Sequence, residues 1–129
     1  MYRRSNNILI VDDEADVLDV ITAHILGEGL LVEGHDNIFL SENGIEATDI
    51  IDLIPIDVLI TDLRLFEYSG NDLIKYYAEK NPRSPILVFS GFTEDERVIS
   101  LPQIKIFRKP DEFKQLLHQL SLELKCAID

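Results

Sequence analysis

The sequence predicts an α/β domain in which helices cover both faces of a five-stranded, mostly parallel sheet. Short continuous apolar runs bounded by turn residues are typical of buried parallel strands. Amphipathic segments with helical spacing lie between these runs. The regular alternation of the two patterns favours a parallel sheet over an antiparallel one. The chain has 129 residues and is 46% hydrophobic, so we expect residues 1–129 to form one domain with a substantial core.

Five apolar runs are the predicted strands. Most contain branched aliphatic residues and are too short for a helix that spans the domain. The second run is less apolar than the others, and its place in the alternation supports it. In chain order the predicted strands are Ile8–Val11, Asn37–Ser41, Pro55–Thr61, Ser84–Ser90 and Gln103–Phe107.

Five intervening segments are the predicted helices: Asp16–Leu26, Asn43–Leu53, Ser69–Lys80, a short Glu94–Ser100, and Asp111–Ala127. In four of them, apolar residues recur three or four positions apart and are expected to face the core. His24 lies on such a stripe and is expected to be half-buried. The predicted core-facing residues are Val17, Val20, Ile21, His24 and Ile25, then Ile45, Ala47, Ile50 and Ile51, then Leu73, Ile74, Tyr77 and Ala78, and finally Phe113, Leu116, Leu117, Leu120 and Leu124.

The composition excludes several classes of function. A formal net charge of −12 argues against a broad nucleic-acid or anionic-membrane surface, because both need basic patches. The single cysteine, Cys126, excludes an internal disulfide framework and a multi-cysteine metal site. No apolar run approaches the roughly 20 residues of a membrane span. A reduced, cytoplasmic setting is therefore expected.

Polar residues follow four of the five predicted strands. The first strand ends in Asp12 and Asp13, the third in Asp62, the fourth in Ser90 and the fifth in Lys109. In open parallel sheets the functional crevice lies beyond the carboxyl ends of the strands. If the first strand lies between the second and third, with the fourth and fifth beyond, these residues converge on one pocket.

Such a pocket has the composition of a metal-assisted phosphoryl site. Three adjacent carboxylates raise one another's pKa values unless a cation lies among them, and hard oxygen ligands suit Mg²⁺. A lysine pairs with phosphate oxygens, and a carboxylate can itself be phosphorylated. Taken singly, Asp12, Asp13 and Asp62 have a plainer interpretation as helix or loop caps, and Lys109 as a solvated surface residue. The set of matching strand ends favours the phosphoryl site.

Four segments together resemble the response regulator receiver domain of two-component signalling. They are "ILIVDDE", "VLITDLRLFEYSG", "ILVFSG" and "IFRKP", in this order and each at a strand end. The resemblance covers nearly the whole chain. It implies a flavodoxin-like, doubly wound (βα)₅ sandwich with a parallel sheet of order 2-1-3-4-5.

The resemblance also implies roles for individual residues. Asp62 would be the phosphoacceptor. Ser90 and Lys109 would contact the phosphoryl group. Mg²⁺, or Mn²⁺ in its place, would bind Asp12, Asp13, Asp62 and the backbone carbonyl of Arg64.

The implied activity is signalling rather than turnover of other substrates. Such a domain takes its phosphoryl group from a histidine kinase or a histidine phosphotransfer protein, and it assists only its own phosphorylation and dephosphorylation. The fourth helix, fifth strand and fifth helix would form the face that contacts a downstream protein or an output domain outside this chain. Neither direct nucleic-acid binding nor membrane association is implied.

Several positions depart from the family pattern. Phe66 replaces the usual proline four residues after the acceptor. Lys109 follows Ser90 by 19 residues, which is a short spacing and predicts a short or irregular fourth helix. Ile106 stands at the switch position that usually holds an aromatic residue. Arg64 and Phe92 are expected at the pocket mouth, where a bulky side chain slows attack by water on the phosphorylated acceptor.

These departures leave an alternative open: a protein-interaction module that no longer depends on phosphorylation. A phosphohydrolase with an aspartate nucleophile is a third possibility. Such enzymes usually place a second aspartate two residues after the first, whereas Asp12 and Asp13 are adjacent. A flavin-binding domain is disfavoured because the acidic first turn would repel the cofactor's phosphate.

Overall fold

The computed structural model describes residues 5–32, 34–91 and 97–125. Within these ranges the chain alternates between strands and helices as predicted. The strands are β1 (Asn7–Val11), β2 (Asn37–Ser41), β3 (Val58–Thr61), β4 (Arg64–Leu65), β5 (Tyr68–Ser69), β6 (Ile86–Ser90) and β7 (Ile104–Arg108). The helices are α1 (Ala15–Gly27), α2 (Gly44–Leu53), α3 (Gly70–Lys80) and α4 (Phe113–Lys125).

Five strands form one parallel sheet of order β2-β1-β3-β6-β7. This order is the predicted 2-1-3-4-5 arrangement, and the flavodoxin-like α/β fold is confirmed. The register places Val11 opposite Thr61 and Ser90 opposite Arg108. The ends of β1, β3, β6 and β7 therefore lie at one edge of the sheet. β4 and β5 form a separate two-residue antiparallel hairpin, which the sequence did not predict.

The sheet separates two hydrophobic clusters, which explains the continuous apolar runs. Ile8 and Ile10 of β1 face a first cluster, which also contains buried residues of α1 and α4. Leu9 and Val11 face a second cluster, which contains buried residues of α2 and α3. Successive side chains of a strand point to opposite faces. A strand covered on both faces must therefore be apolar at every position.

Most predicted element bounds lie within two residues of the observed ones, but β3 begins at Val58, three residues after the predicted Pro55. β2 has the predicted limits. Helices α2 and α3 each begin one residue later than predicted, because the first residue of each predicted helix is its N-cap. The Asn43 side chain accepts a hydrogen bond from the Glu46 amide, and the Ser69 hydroxyl accepts one from the Asn71 amide. Both residues thereby satisfy amides of the first helical turn.

The predictions of core-facing residues were wrong at three positions. Val20 is 50% exposed and Ile45 is 59% exposed. His24 is also exposed, although its ring meets the Phe113 ring edge-on. In α1 the buried residues are Leu18, Ile21 and Ile25, a narrower stripe that lies to one side of the predicted one. A surface helix buries only the arc that contacts the sheet, and the sequence pattern did not locate that arc.

The fourth predicted helix, Glu94–Ser100, is not present in its described part. Residues 97–100 are not helical, and residues 94–96 lie outside the described part of the chain. The main chain of residues 97 and 99 is hydrogen-bonded to the Asn71 side chain of α3 instead of forming helical hydrogen bonds. No helix in the described ranges is long and apolar enough to cross a membrane.

Candidate functional site

The sheet brings together five of the residues predicted to form the site. Asp12 and Asp62 follow β1 and β3 directly, and each continues its strand through one more backbone bond. The Asp12 amide donates to the Ser41 carbonyl at 3.1 Å, and the Asp62 amide donates to the Val11 carbonyl at 3.1 Å. Both residues are buried, with exposures of 2% and 7%. Asp13, beside them, is exposed.

The Lys109 ammonium links the two buried carboxylates. Its Nζ lies 2.6 Å from Asp12 Oδ2 and 2.7 Å from Asp62 Oδ2. Its backbone amide donates to the Ser90 carbonyl at 3.0 Å, which fixes the start of the β7–α4 connection against β6. Charge-assisted bonds of this length are among the stronger polar contacts in proteins. The ammonium thus holds the ends of β1 and β3 together.

Ser90 contacts the other oxygen of Asp62. Its hydroxyl donates to Asp62 Oδ1 at 2.6 Å, and the residue is buried. The two oxygens of Asp62 therefore have different partners, an ammonium on one side and a hydroxyl on the other. Each of these partners stands at the end of a different strand.

Main-chain groups complete the surroundings of Asp62. The amides of Leu63 and Arg64 donate to Asp62 Oδ1 at 2.7 and 3.3 Å, and the Thr61 hydroxyl donates to the Asp62 carbonyl at 2.8 Å. Sequence reasoning missed these donors. Main-chain amides cannot be recognised from residue identity, and the sequence pattern indicates only that Thr61 is the last residue of a strand.

Asp12 also organises the first turn after β1. Its Oδ1 accepts a hydrogen bond from the Glu14 amide at 2.9 Å, so the plainer interpretation of Asp12 as a turn-forming aspartate describes one of its oxygens. The other oxygen contacts Lys109. One side chain thus shapes the loop and contributes charge to the site.

Gly70 places α3 directly against the loop that follows Asp62. A Cβ at this position would overlap the Asp62 carbonyl and the Leu63 backbone. The Gly70 amide donates to the Leu63 carbonyl at 2.9 Å. Only a residue without a side chain allows this approach. The first turn of α3 is therefore in contact with the backbone of Asp62.

The three acidic residues have the chemistry of a ligand set for a divalent cation. Carboxylate oxygens of Asp12, Asp13 and Asp62 lie within 4.8 Å of one another. Mg²⁺ prefers hard oxygen ligands and keeps part of its water shell. Two buried carboxylates and one exposed carboxylate fit these demands, because the exposed side leaves room for water.

The sequence model of the response regulator receiver domain matches residues 8–121. The chain belongs to this family. Curated relatives agree with the match. The receiver is 33% identical over 97 residues to the transcriptional regulatory protein YdfI of Bacillus subtilis, a match that covers 73% of this chain and 42% of YdfI. It is 31% identical over 84 residues to the response regulator protein PilR of Pseudomonas aeruginosa, covering 65% of this chain and 18% of PilR.

The chain therefore spans less than half the length of these relatives. Among solved structures, a response regulator receiver protein from Sinorhizobium medicae superimposes with a TM-score of 0.78. That comparison covers 95% of this chain and 97% of the other, at 25% identity. The receiver fold is thus supported by both sequence and structure.

The other predicted site residues of the receiver lie in different settings. Arg64 is an exposed residue of β4, beside Asp62. Ile106, on β7, is 45% exposed, while the neighbouring Phe107 packs against the first cluster. Phe92 lies outside the described residues. The Lys109–Pro110 peptide bond is cis.

Burial and charge act in opposite directions on the ionisable groups of this receiver. Burial raises the pKa of Asp12, and the hydrogen bonds from Lys109 and the Glu14 amide only partly offset it. Burial alone would lower the pKa of Lys109, but its bonds to Asp12 and Asp62 outweigh burial and raise that pKa. The lysine has two carboxylate partners, whereas Asp12 shares one lysine with Asp62. The site therefore favours the charged ammonium of Lys109 and disfavours the ionised form of Asp12.

Asp12→Asn is expected to stabilise the metal-free receiver at pH 7, because it removes a carboxylate whose ionised form is disfavoured by burial. A carboxyl group with a raised folded-state pKa contributes stability below its ordinary pKa, and this contribution is lost as pH rises through the folded value. The ionised Asp12 therefore weakens the fold at neutral pH. Urea unfolding in EDTA, repeated from pH 7 downward, measures the difference, which should shrink as Asp12 becomes protonated. An equal gain in Asp19→Asn, an exposed aspartate of α1, would contradict this account.

Proposed function

We propose that this receiver accepts a phosphoryl group on Asp62 from a histidine kinase or a histidine phosphotransfer protein, in a reaction that depends on Mg²⁺ or Mn²⁺. One observation carries the proposal: the two oxygens of a buried aspartate are separately held by Lys109 and Ser90. A purely structural aspartate does not require a second carboxylate, Asp12, on the same ammonium. A Mg²⁺-dependent phosphoryl site does, because the second carboxylate is a ligand for the cation.

The chemistry follows from these contacts. An Asp62 oxygen attacks phosphorus, an O–P bond forms, and the bond from phosphorus to the donor's histidine nitrogen breaks. Lys109 or Ser90, whichever contacts the attacking oxygen, then moves to a phosphoryl oxygen. The ammonium is charged when the phosphoryl group arrives, because its bonds to Asp12 and Asp62 raise its pKa. It balances the charge that the phosphoryl group brings into a buried setting.

The divalent cation would be held by Asp12, Asp13, Asp62 and the Arg64 carbonyl. When bound, it supplies Lewis-acid neutralisation of the transferring oxygens. The acidic cluster that supports this assignment has its oxygens within 4.8 Å.

A groove beside the site offers a docking position for the phosphodonor protein. It has a volume of about 270 Å³, and Val17, Val20, Phe89, Pro110 and Phe113 contribute its apolar lining next to Lys109. We propose that β7 and α4 form the face that contacts a downstream protein or an output domain outside this chain; the relative YdfI, of which this chain covers 42%, is a transcriptional regulatory protein.

Incubation with acetyl phosphate and Mg²⁺ tests the proposal. Intact-protein mass spectrometry should show the gain of one phosphoryl group, and peptide mapping should place it on Asp62. EDTA should prevent the gain. No gain at any Mg²⁺ concentration in a folded sample would overturn the proposal and favour a phosphorylation-independent interaction module.

A further inference from the structure

Residues 97–101 form a segment without regular secondary structure, here called the strap, that lies against α3. Three of its side chains, Val98, Ile99 and Leu101, pack against the second hydrophobic cluster. The strap leads into β7 through Gln103, whose side chain donates to the Asn81 carbonyl at the end of α3 at 3.1 Å. The strap thus follows α3 from its first turn to its C-cap.

The Asn71 side chain binds the N-terminal end of the strap. Its Nδ2 donates to the Arg97 carbonyl at 2.7 Å, and its Oδ1 accepts a hydrogen bond from the Ile99 amide at 3.0 Å. The side chain thus provides one donor and one acceptor, as a main-chain residue of a neighbouring parallel strand would provide to a carbonyl and to the amide two residues later. Among the described residues, Asn71 provides the hydrogen bonds that the main chain of residues 97–99 makes.

The position of Asn71 links this contact to the acceptor. Asn71 follows Gly70, whose backbone lies against the Asp62 carbonyl with no room for a side chain. The strap also belongs to the stretch between Ser90 and Lys109, the two residues that hold the oxygens of Asp62. Asn71 therefore lies between two parts of the chain. On one side is the loop that follows Asp62, and on the other is the strap, which belongs to the segment between Ser90 and Lys109.

We propose that Asn71 is a positioning residue that latches the strap to α3 in the unphosphorylated receiver and releases it when Asp62 carries a phosphoryl group. The inference rests on the proposed function. Phosphorylation of one Asp62 oxygen forces its partner, Ser90 on Oδ1 or Lys109 on Oδ2, to move to a phosphoryl oxygen farther out. Both hydrogen bonds of Asn71 need one joint geometry, so a shift of the strap relative to α3 breaks them together. By linkage, a latch that exists only in the unphosphorylated state opposes phosphorylation.

Beryllofluoride, a phosphoryl mimic, tests the latch in the intact receiver. With Mg²⁺ and beryllofluoride, the Ile99 amide should exchange its hydrogen at least about tenfold faster than in the free protein. Asn71→Ala should exchange rapidly before the mimic is added and should bind it about tenfold more tightly, because the variant no longer loses two hydrogen bonds on binding.

Gln103→Ala is the matched control, since it cuts the strap's other side-chain tether, at the far end of α3. It should leave the affinity for beryllofluoride unchanged, whereas a merely structural role for Asn71 predicts equal affinities in both variants. Asn71→Asp, which keeps the acceptor for Ile99 and loses the donor to Arg97, should bind with intermediate affinity. This variant keeps the test available if Asn71→Ala does not fold.

The outcomes separate the two proposals. A wild-type receiver that binds beryllofluoride, together with an Asn71→Ala variant of the same affinity, would overturn the latch alone. A wild-type receiver that neither binds beryllofluoride nor accepts a phosphoryl group would overturn the proposed function and the latch with it.

Discussion

Asp62→Asn should reduce phosphoryl incorporation from acetyl phosphate to the background of the assay. The amide has nearly the shape of the carboxylate and keeps an oxygen that can accept from Ser90 and from the amides of Leu63 and Arg64. It lacks the anionic oxygen that attacks phosphorus. Intact-protein mass spectrometry after incubation with Mg²⁺ and acetyl phosphate provides the measurement, with circular dichroism as the check on folding.

Asp49→Asn is the control for this experiment. Asp49 is an exposed residue of α2, so its replacement changes the net charge equally and leaves the site intact. It should incorporate one phosphoryl group as the wild type does. Full incorporation by Asp62→Asn would show that another residue accepts the group and would remove Asp62 from the mechanism.

Lys109→Met should lower the free energy of unfolding in EDTA by about 3 kcal/mol, the typical cost of leaving buried charge without its partner. The ammonium contacts Asp12 and Asp62 at 2.6 and 2.7 Å, and both carboxylates are buried. Mg²⁺ should restore part of the loss, because a cation that binds only the folded state stabilises it. Phosphoryl transfer should also slow, since the charge of the incoming group is no longer balanced.

Urea unfolding in EDTA and in millimolar Mg²⁺ measures these effects. Lys105→Met serves for comparison, because Lys105 lies on the same strand, β7, and is exposed. Its replacement should change stability by less than about 0.5 kcal/mol. A similar loss in both variants, or a loss in Lys109→Met that Mg²⁺ leaves unchanged, would argue against the ammonium as the counter-charge of the two aspartates.

Burial of the sheet on both faces explains why the sequence predicted the strands of the sheet, the helices around it and their order along the chain. β1 and β6 are covered on both faces, so Ile8–Val11 and Ile86–Phe89 are continuous apolar runs that differ clearly from the turns around them. The caps Asn43 and Ser69 mark helix starts through a local side-chain bond. The alternation of these elements then placed Asp12, Asp62, Ser90 and Lys109 at one edge.

The local sequence pattern did not predict features that depend on tertiary contacts. The exposure of Val20 and Ile45 depends on which arc of each helix meets the sheet. Residues 97–100 are not helical, and the Asn71 side chain pairs with their main chain. Asn71 is 26 and 28 residues away from its partners, so no window along the chain contains this contact.

The residues of the site and their place at the strand ends were thus determined by the sequence, because hydrophobic periodicity and capping act over a few neighbouring residues. The tertiary structure alone decided how the two oxygens of Asp62 are shared between Lys109 and Ser90, and how α3 approaches through Gly70. The contacts of Ser90 and Lys109 with Asp62 join residues that are 28 and 47 positions apart along the chain. All of these contacts depend on distances of a few tenths of an ångström, which only the packed strands and helices can set.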